Sequence, residues 1–128
     1  MKKRQWNDRE RLILKRILHA QRQPASGANW LFKEDGVAPE LLYQLKSTEH
    51  RSITLQLDDL LILRTHAQAL QKAPVFVLDF VGGPLLLCVG LSDIFRVAQA
   101  LFQDGAISIK SLEESAQLTH DIDDLDHL

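Results

Sequence analysis

The first run of apolar residues with helical spacing lies near the N-terminus. Its members fall on one stripe at intervals of three and four residues: Ile13, Leu14, Ile17 and Leu18. Asn7 is a good N-cap, and Glu10 stands three residues later, as a capping box requires. The pattern therefore predicts a helix that begins at Asn7. Glu10 also lies at the top of the apolar stripe, so it either closes the capping box or faces inward beside a functional site.

The remaining apolar pattern alternates between strands and helices. Turn residues separate the segments, among them Gly36 with Pro39 and the run Gly82-Gly83-Pro84. The order helix, hairpin, helix, hairpin, helix predicts an α/β fold with one central mixed β-sheet flanked by helices. The predicted segments are a strand over 41–45, a helix over 58–72 with Leu60, Leu63, Ala67 and Leu70 inward, buried strands over 75–80 and 85–89, and a helix from Ser92 to Gly105 with Ile94, Val97 and Leu101 inward.

The first predicted hairpin brings three polar residues together. A hairpin centred between Pro39 and Glu40 places residue 35 opposite residue 44, and directly opposed Cα atoms are about 4.5–5.5 Å apart. The two-residue alternation of a strand then puts Gln44 and Lys46 on the same face. We therefore expect Asp35, Gln44 and Lys46 to share one site.

These side chains have the chemistry of a metal-dependent phosphodiesterase. A Mg²⁺ ion held by oxygen ligands can polarise a phosphate, and a nearby lysine adds a fixed positive charge or orients the attacking water. Asp35 would be the principal ligand, with Gln44 contributing its amide oxygen and Leu45 its carbonyl. Lys46 would be the cation, and Glu10 would complete the metal shell from the helix.

The same residues resemble the PD-(D/E)XK nuclease superfamily, and within it the small Holliday junction resolvase-like endonucleases of phages and archaea. The resemblance covers about residues 8–103. It implies a restriction-endonuclease-like core, a homodimer, a Mg²⁺ or Mn²⁺ cofactor and cleavage of branched DNA. Asp35, Gln44 and Lys46 match the acid, the D/E position and the lysine of the motif, and Glu10 matches the helix acid. The matching segments are residues 24–30, 33–35, 43–48 and the strand 74–80.

Gln44 departs from the usual motif, because this position ordinarily carries an acid. Some restriction-type branches of the superfamily are similar in using Gln-x-Lys, so the substitution is compatible with activity. It nevertheless removes one negative charge from a site for a hard cation, which weakens metal binding. An alternative is therefore a nuclease fold with weakened chemistry that binds DNA or a protein partner without cutting.

Charge is distributed unevenly along the chain. The net charge is −2, yet residues 1–33 hold nine Lys or Arg against two acids, and residues 111–128 hold six acids and no Lys or Arg. We expect one domain over 1–105 and an acidic extension over 106–128. A third hypothesis is that the protein is an interaction or inhibitory module, in which the acidic extension occupies the basic, DNA-like groove of a partner. Predicted DNA contacts are Ser26, Gly27 and Asn29 in a loop, together with Arg22, Lys33, Arg51 and Ser52. The basic segment that could follow a phosphate backbone comprises Lys2, Lys3, Arg4, Arg9, Arg11, Lys15, Arg16 and Arg22.

Several other classes are excluded by what the sequence lacks. The histidines show no metal spacing, and there is no Gly-rich phosphate loop, no serine hydrolase motif and no heptad repeat. The one cysteine, Cys88, lies in an apolar run, and we expect it to be a small buried residue of a cytoplasmic protein. The apolar stretch 75–91 is interrupted by Asp79 and the Gly-Gly-Pro turn, so a membrane-bound protein is not expected.

Overall fold

The computed structural model of the chain describes residues 1–22 and 36–103. Within these ranges, three α-helices and five strands form an α/β fold, with a π turn after the first helix and a 3₁₀ turn before the last. The helices are α1 (Lys3–Leu12), α2 (Leu57–Ala69) and α3 (Ile94–Gln103), with the π turn at Ile13–Ile17 and the 3₁₀ turn at Leu91–Asp93. The strands are β1 (Gln21–Arg22), β2 (Gly36–Val37), β3 (Leu41–Thr48), β4 (Ala73–Phe80) and β5 (Leu85–Cys88).

The strands form one mixed sheet in the order β1-β2-β3-β4-β5. Strand β3 is antiparallel to β2 and parallel to β4, and the chain crosses from β3 to β4 through α2. The β3–β4 ladder is long, running from Leu41 opposite Ala73 to Thr48 opposite Phe80. The predicted central mixed sheet is therefore confirmed, and its two longest strands are the ones joined by the crossover helix.

Helices cover both faces of the sheet, as two separate hydrophobic clusters show. On one face, side chains of the N-terminal helical segment and α3 pack against Tyr43, Val75 and Val77. On the other face, Leu63 and Ala67 of α2 pack against Leu42 and Phe76. The alternation of β3 thus places odd-numbered side chains toward α1 and α3 and even-numbered side chains toward α2.

The first helix begins earlier than its sequence predicts. It starts at Lys3 rather than after Asn7, because the Gln5 side chain accepts a hydrogen bond of 2.8 Å from the backbone N–H of Lys2 and satisfies a donor at the helix start. The predicted apolar stripe is correct where it can be checked, since Ile13, Leu14 and Leu18 are all buried.

A close approach fixes the position of strand β2 against this segment. A Cβ atom added at Gly36 would lie 2.9 Å from Cδ2 of Leu14, which is closer than ordinary packing permits. Any larger residue at position 36 would require the Leu14 side chain to shift, so glycine lets the start of the strand lie directly against this buried residue.

The second hairpin and the last helix are less buried than expected. Strand β5 was predicted to be buried with Cys88, but Cys88 is exposed and Leu86 is 44% exposed. Ile94 was predicted to face inward, and it is 56% exposed. The physical reason is that β5 pairs with β4 alone within the described sheet, so the strand lies at its edge. Val97 and Leu101 of α3 are buried as predicted.

The second helix agrees with its pattern except at the end. Leu63 and Ala67 are buried, Leu60 packs against them, and Leu70 is partly exposed just beyond the last helical residue. The predicted domain end at 105 and the acidic segment 106–128 lie outside the described residues. None of the helices in the described ranges has the length and apolar content needed to cross a membrane.

Candidate functional site

Gln44 and Lys46 lie on the α2 side of strand β3, as the strand alternation predicted. Leu42, which shares their parity, packs against α2, whereas Tyr43 and Leu45 face the other cluster. Both polar side chains are half-buried, so they are held by the fold and still reachable from solvent. The predicted neighbouring placement of Gln44 and Lys46 is confirmed for these two residues.

The ammonium group of Lys46 is held by two oxygen atoms from the segment that follows β3. Its Nζ lies 3.2 Å from Oδ2 of Asp59 and 3.3 Å from the carbonyl oxygen of Thr54. Asp59 belongs to the first turn of α2, where an acid also interacts favourably with the helix dipole. Sequence reasoning missed Asp59, because its position predicts a helix start as readily as a partner for a lysine 13 residues away.

The first hairpin has the register that the predicted site requires. Gly36 pairs with Tyr43 and Val37 pairs with Leu42, and the turn is closed by a 2.9 Å bond from the Ala38 N–H to the Leu41 carbonyl. These are the pairs that the predicted hairpin, centred between Pro39 and Glu40, produces. Asp35 itself lies outside the described residues, so its pairing with Gln44 stays a prediction.

The other predicted site residues are distributed over several elements. Glu10 lies in α1, on the opposite side of the sheet from Gln44 and Lys46, and its role beside a metal stays a prediction. Arg51 and Ser52 are exposed in the connection between β3 and α2, where a phosphate backbone could reach them. Arg22 ends strand β1. The remaining predicted DNA contacts lie outside the described residues: Ser26, Gly27, Asn29 and Lys33.

A buried polar network lies directly behind this part of β3. Arg9 of α1 donates to Asp79 of β4 through Nε at 2.6 Å and through Nη2 at 2.7 Å, and the hydroxyl of Ser47 donates to the same carboxylate at 2.7 Å. Arg9 is 1% exposed and Asp79 is fully buried. The expectation that Arg9 belongs to a basic surface for DNA is therefore wrong, because its charge is paired inside the protein.

The sequence carried one signal of this network. Asp79 interrupts an otherwise apolar strand, and a fully buried carboxylate requires a partner. The sequence alone could not choose among the many arginines and lysines. The network joins the residue before Glu10 to the residue after Lys46, so it fixes α1 relative to the strand that carries Gln44 and Lys46.

Tyr43 contributes a second unusual group to the core. Its ring is buried among the residues of the α1 and α3 face, and its hydroxyl has no hydrogen-bond partner in the described part of the chain. Burial raises the pKa of Tyr43 to about 12, because the charged phenolate loses its hydration. This group lies on the sheet face away from Gln44 and serves packing.

The described residues fit a divalent cation only in part. They contain no group of three or more His, Cys, Asp or Glu side chains able to hold a metal ion. Gln44 can offer its amide oxygen, Leu45 its backbone carbonyl, and Glu10 a carboxylate from the other face. A hard-cation site therefore depends on the carboxylate of Asp35, together with Gln44.

Comparisons with known proteins found no counterpart of this chain. No protein-family model matches it, and neither the curated proteins nor the solved structures contain a significant match.

Proposed function

We propose that this protein is a metal-dependent endonuclease that hydrolyses phosphodiester bonds in branched DNA such as Holliday junctions. The observation that carries the proposal is the hairpin register that pairs Gly36 with Tyr43, because the predicted meeting of Asp35 and Gln44 depends on it. Lys46 lies two residues further along the same strand and the same face, where the proposed chemistry needs a cation.

The order of elements supports a restriction-endonuclease-like core. In the sequence resemblance, the Gln-x-Lys strand is followed by a helix and then by the strand over 74–80. The protein has this order, with β3, α2 and β4 in succession and β4 parallel to β3. A helix precedes the hairpin, as the match of Glu10 to the family's helix acid requires.

Most of the motif residues have a defined task in this proposal. Mg²⁺ or Mn²⁺, when bound, would polarise the phosphate and lower the pKa of a bound water. Asp35 and Gln44 would hold the ion through their side-chain oxygens, with the Leu45 carbonyl as a further ligand. Glu10, the fourth residue of the motif match, lies in α1 on the opposite side of the sheet and has no task at this ion. Lys46 would present its ammonium group to the phosphate that is being attacked and stabilise the added negative charge.

The proposed partners are DNA and a second copy of the chain. Arg51 and Ser52, which are exposed in the segment after β3, would contact the phosphate backbone. A homodimer follows from the family resemblance, and the structure offers exposed apolar side chains that a second copy could cover. Leu91 in the 3₁₀ turn is 87% exposed, and Phe95 in the first turn of α3 is 79% exposed.

A second candidate function is DNA recognition without cleavage. One observation favours it: Gln44 is neutral at the position that ordinarily carries an acid. In that case basic residues would still bind DNA, and the motif residues would be the remains of a catalytic site that no longer cleaves it.

Cleavage assays separate the two functions. Wild-type protein and Asp35→Ala are incubated with a labelled four-way junction, a linear duplex and single-stranded DNA in Mg²⁺, Mn²⁺ and EDTA, and binding is measured in parallel. Asp58→Asn is a matched control, because it also removes one carboxylate, on the exposed side of α2.

If the protein is an endonuclease, junction cleavage should depend on the metal. Cleavage should disappear in Asp35→Ala while junction binding persists. Binding without cleavage in both metals would refute the endonuclease and support the second function. If the protein neither cuts nor binds DNA, both functions are refuted, and the interaction role of the acidic segment becomes the hypothesis to test by truncation after Gln103.

A further inference from the structure

We propose that Asp59 is the positioning residue for Lys46, holding its ammonium group in the orientation that cleavage requires. This inference rests on the proposed endonuclease. Asp59 matches none of the motif residues, and it enters the site from the crossover helix rather than from the hairpin.

The position of the Asp59 carboxylate is set by a well-packed element. Asp59 lies in the first turn of α2, and Leu63, one helical turn later, is 3% exposed in the cluster with Leu42 and Phe76. Residues four apart lie on the same side of a helix, so Asp59 faces the sheet as Leu63 does. The carboxylate therefore lies within reach of the β3 strand and accepts a hydrogen bond from the lysine at 3.2 Å.

The second contact restricts the lysine further. The carbonyl oxygen of Thr54 lies 3.3 Å from Nζ, so two oxygen atoms direct the ammonium group at once. A lysine side chain has four rotatable bonds and loses much conformational freedom when it is held in this way. An arrangement that orders Lys46 before DNA arrives removes that cost from the cleavage step.

Stability alone gives a poor account of this pair. The lysine side chain is 31% exposed and the aspartate side chain 41% exposed, and pairs with this degree of exposure contribute at most about 1 kcal/mol. The contact instead orients Lys46, which is the lysine of the proposed catalytic motif. Its expected effect is therefore on the rate of cleavage rather than on the fold.

The test compares Asp59→Asn, Asp59→Glu and Asp58→Asn with the wild-type protein. Asp58 precedes Asp59 in the same helical turn and is exposed, so Asp58→Asn reproduces the change in net charge without the contact to Lys46. Four-way-junction cleavage is measured at saturating DNA and as a function of DNA concentration, alongside the melting temperature. Reaction of Lys46 with a water-soluble amine reagent is followed by mass spectrometry, which reports the contact independently of cleavage.

We expect Asp59→Asn to lower the cleavage rate at saturating DNA about 10- to 100-fold, the range produced by small misplacement of a catalytic group. The DNA concentration at half-maximal rate should match that of Asp58→Asn, and Asp59→Glu should recover a large part of the rate. Lys46 should react faster with the reagent in Asp59→Asn than in either the wild type or Asp58→Asn.

Three results would overturn the inference. The first is equal cleavage rates for Asp59→Asn and Asp58→Asn. The second is a rate loss that tracks a lowered melting temperature and is not recovered by Asp59→Glu, because this indicates a structural role. The third is unchanged reactivity of Lys46 in Asp59→Asn, because this would show that Asp59 does not restrain the Lys46 amine, whether or not the protein cuts DNA. A wild-type protein that does not cleave refutes the proposed endonuclease first, and the positioning role with it.

Discussion

The Asp79→Asn substitution should destabilise this protein more than a typical point substitution, which costs about 1 kcal/mol. In the wild type, the Asp79 carboxylate receives two hydrogen bonds from Arg9 and one from Ser47, at 2.6, 2.7 and 2.7 Å. Asn keeps the shape of the side chain but removes its negative charge, so the buried ion pair between Arg9 and Asp79 is lost. Breaking a buried pair in this way costs about 3–5 kcal/mol. Since a domain is stable by only about 5–15 kcal/mol in all, the loss is large.

A double substitution provides the control that separates charge from packing. Replacing both members, as in Arg9→Met with Asp79→Leu, removes both buried charges together. Such replacements are typically neutral or stabilising by about 1–4 kcal/mol. Here the Ser47 hydroxyl also loses its acceptor, which costs about 1–3 kcal/mol. The double variant should therefore unfold close to the wild type, while each single variant is clearly weaker.

Urea denaturation followed by circular dichroism measures these differences directly. The free energies of unfolding of the wild type, the two single variants and the double variant form a double-mutant cycle whose coupling term reports the pair. The reasoning would be refuted if Asp79→Asn cost less than about 1 kcal/mol. It would also be refuted if the double variant were less stable than both single variants, since the Arg9–Asp79 contact would then not be the source of the loss.

Three further predictions concern the core, the metal site and the oligomeric state. Tyr43→Phe should raise the free energy of unfolding by about 1 kcal/mol, because it removes a buried hydroxyl without a partner in the described chain. Since the pKa of Tyr43 rises from 10.0 to about 12 in the folded protein, the wild type should lose up to about 3 kcal/mol of stability as pH rises from 10 to 12, and Tyr43→Phe should lack this component. Gln44→Glu should lower the Mg²⁺ concentration needed for half-maximal cleavage, and unchanged metal dependence would contradict the assignment of Gln44 as a ligand. Phe95→Asp should convert a dimer into a monomer in light scattering if the exposed apolar face near β5 joins two copies, whereas an unchanged dimer would place the interface elsewhere.

The sequence by itself determined the order of the three helices and of strands β2 to β5, together with the register of the first hairpin. It did not predict the short strand β1 or the π turn. Helical and strand periodicity predicted three helices and a mixed sheet, and the turn at Pro39 fixed the pairing of Gly36 with Tyr43. It also placed Gln44 and Lys46 on one face, because alternation along a strand is a local property. These features depend on residues close together in the chain, which is why a single sequence suffices for them.

The tertiary structure alone decided which distant residues meet. Nothing local to Arg9 indicates that its charge is buried against Asp79, 70 residues away, rather than exposed to DNA. The pairing of Lys46 with Asp59 likewise depends on how α2 packs over the sheet. Burial of β5 was predicted wrongly for the same reason, because an apolar strand has the same sequence pattern at the centre of a sheet and at its edge. Long-range pairing and burial follow from packing of the whole chain, and local patterns do not contain that information.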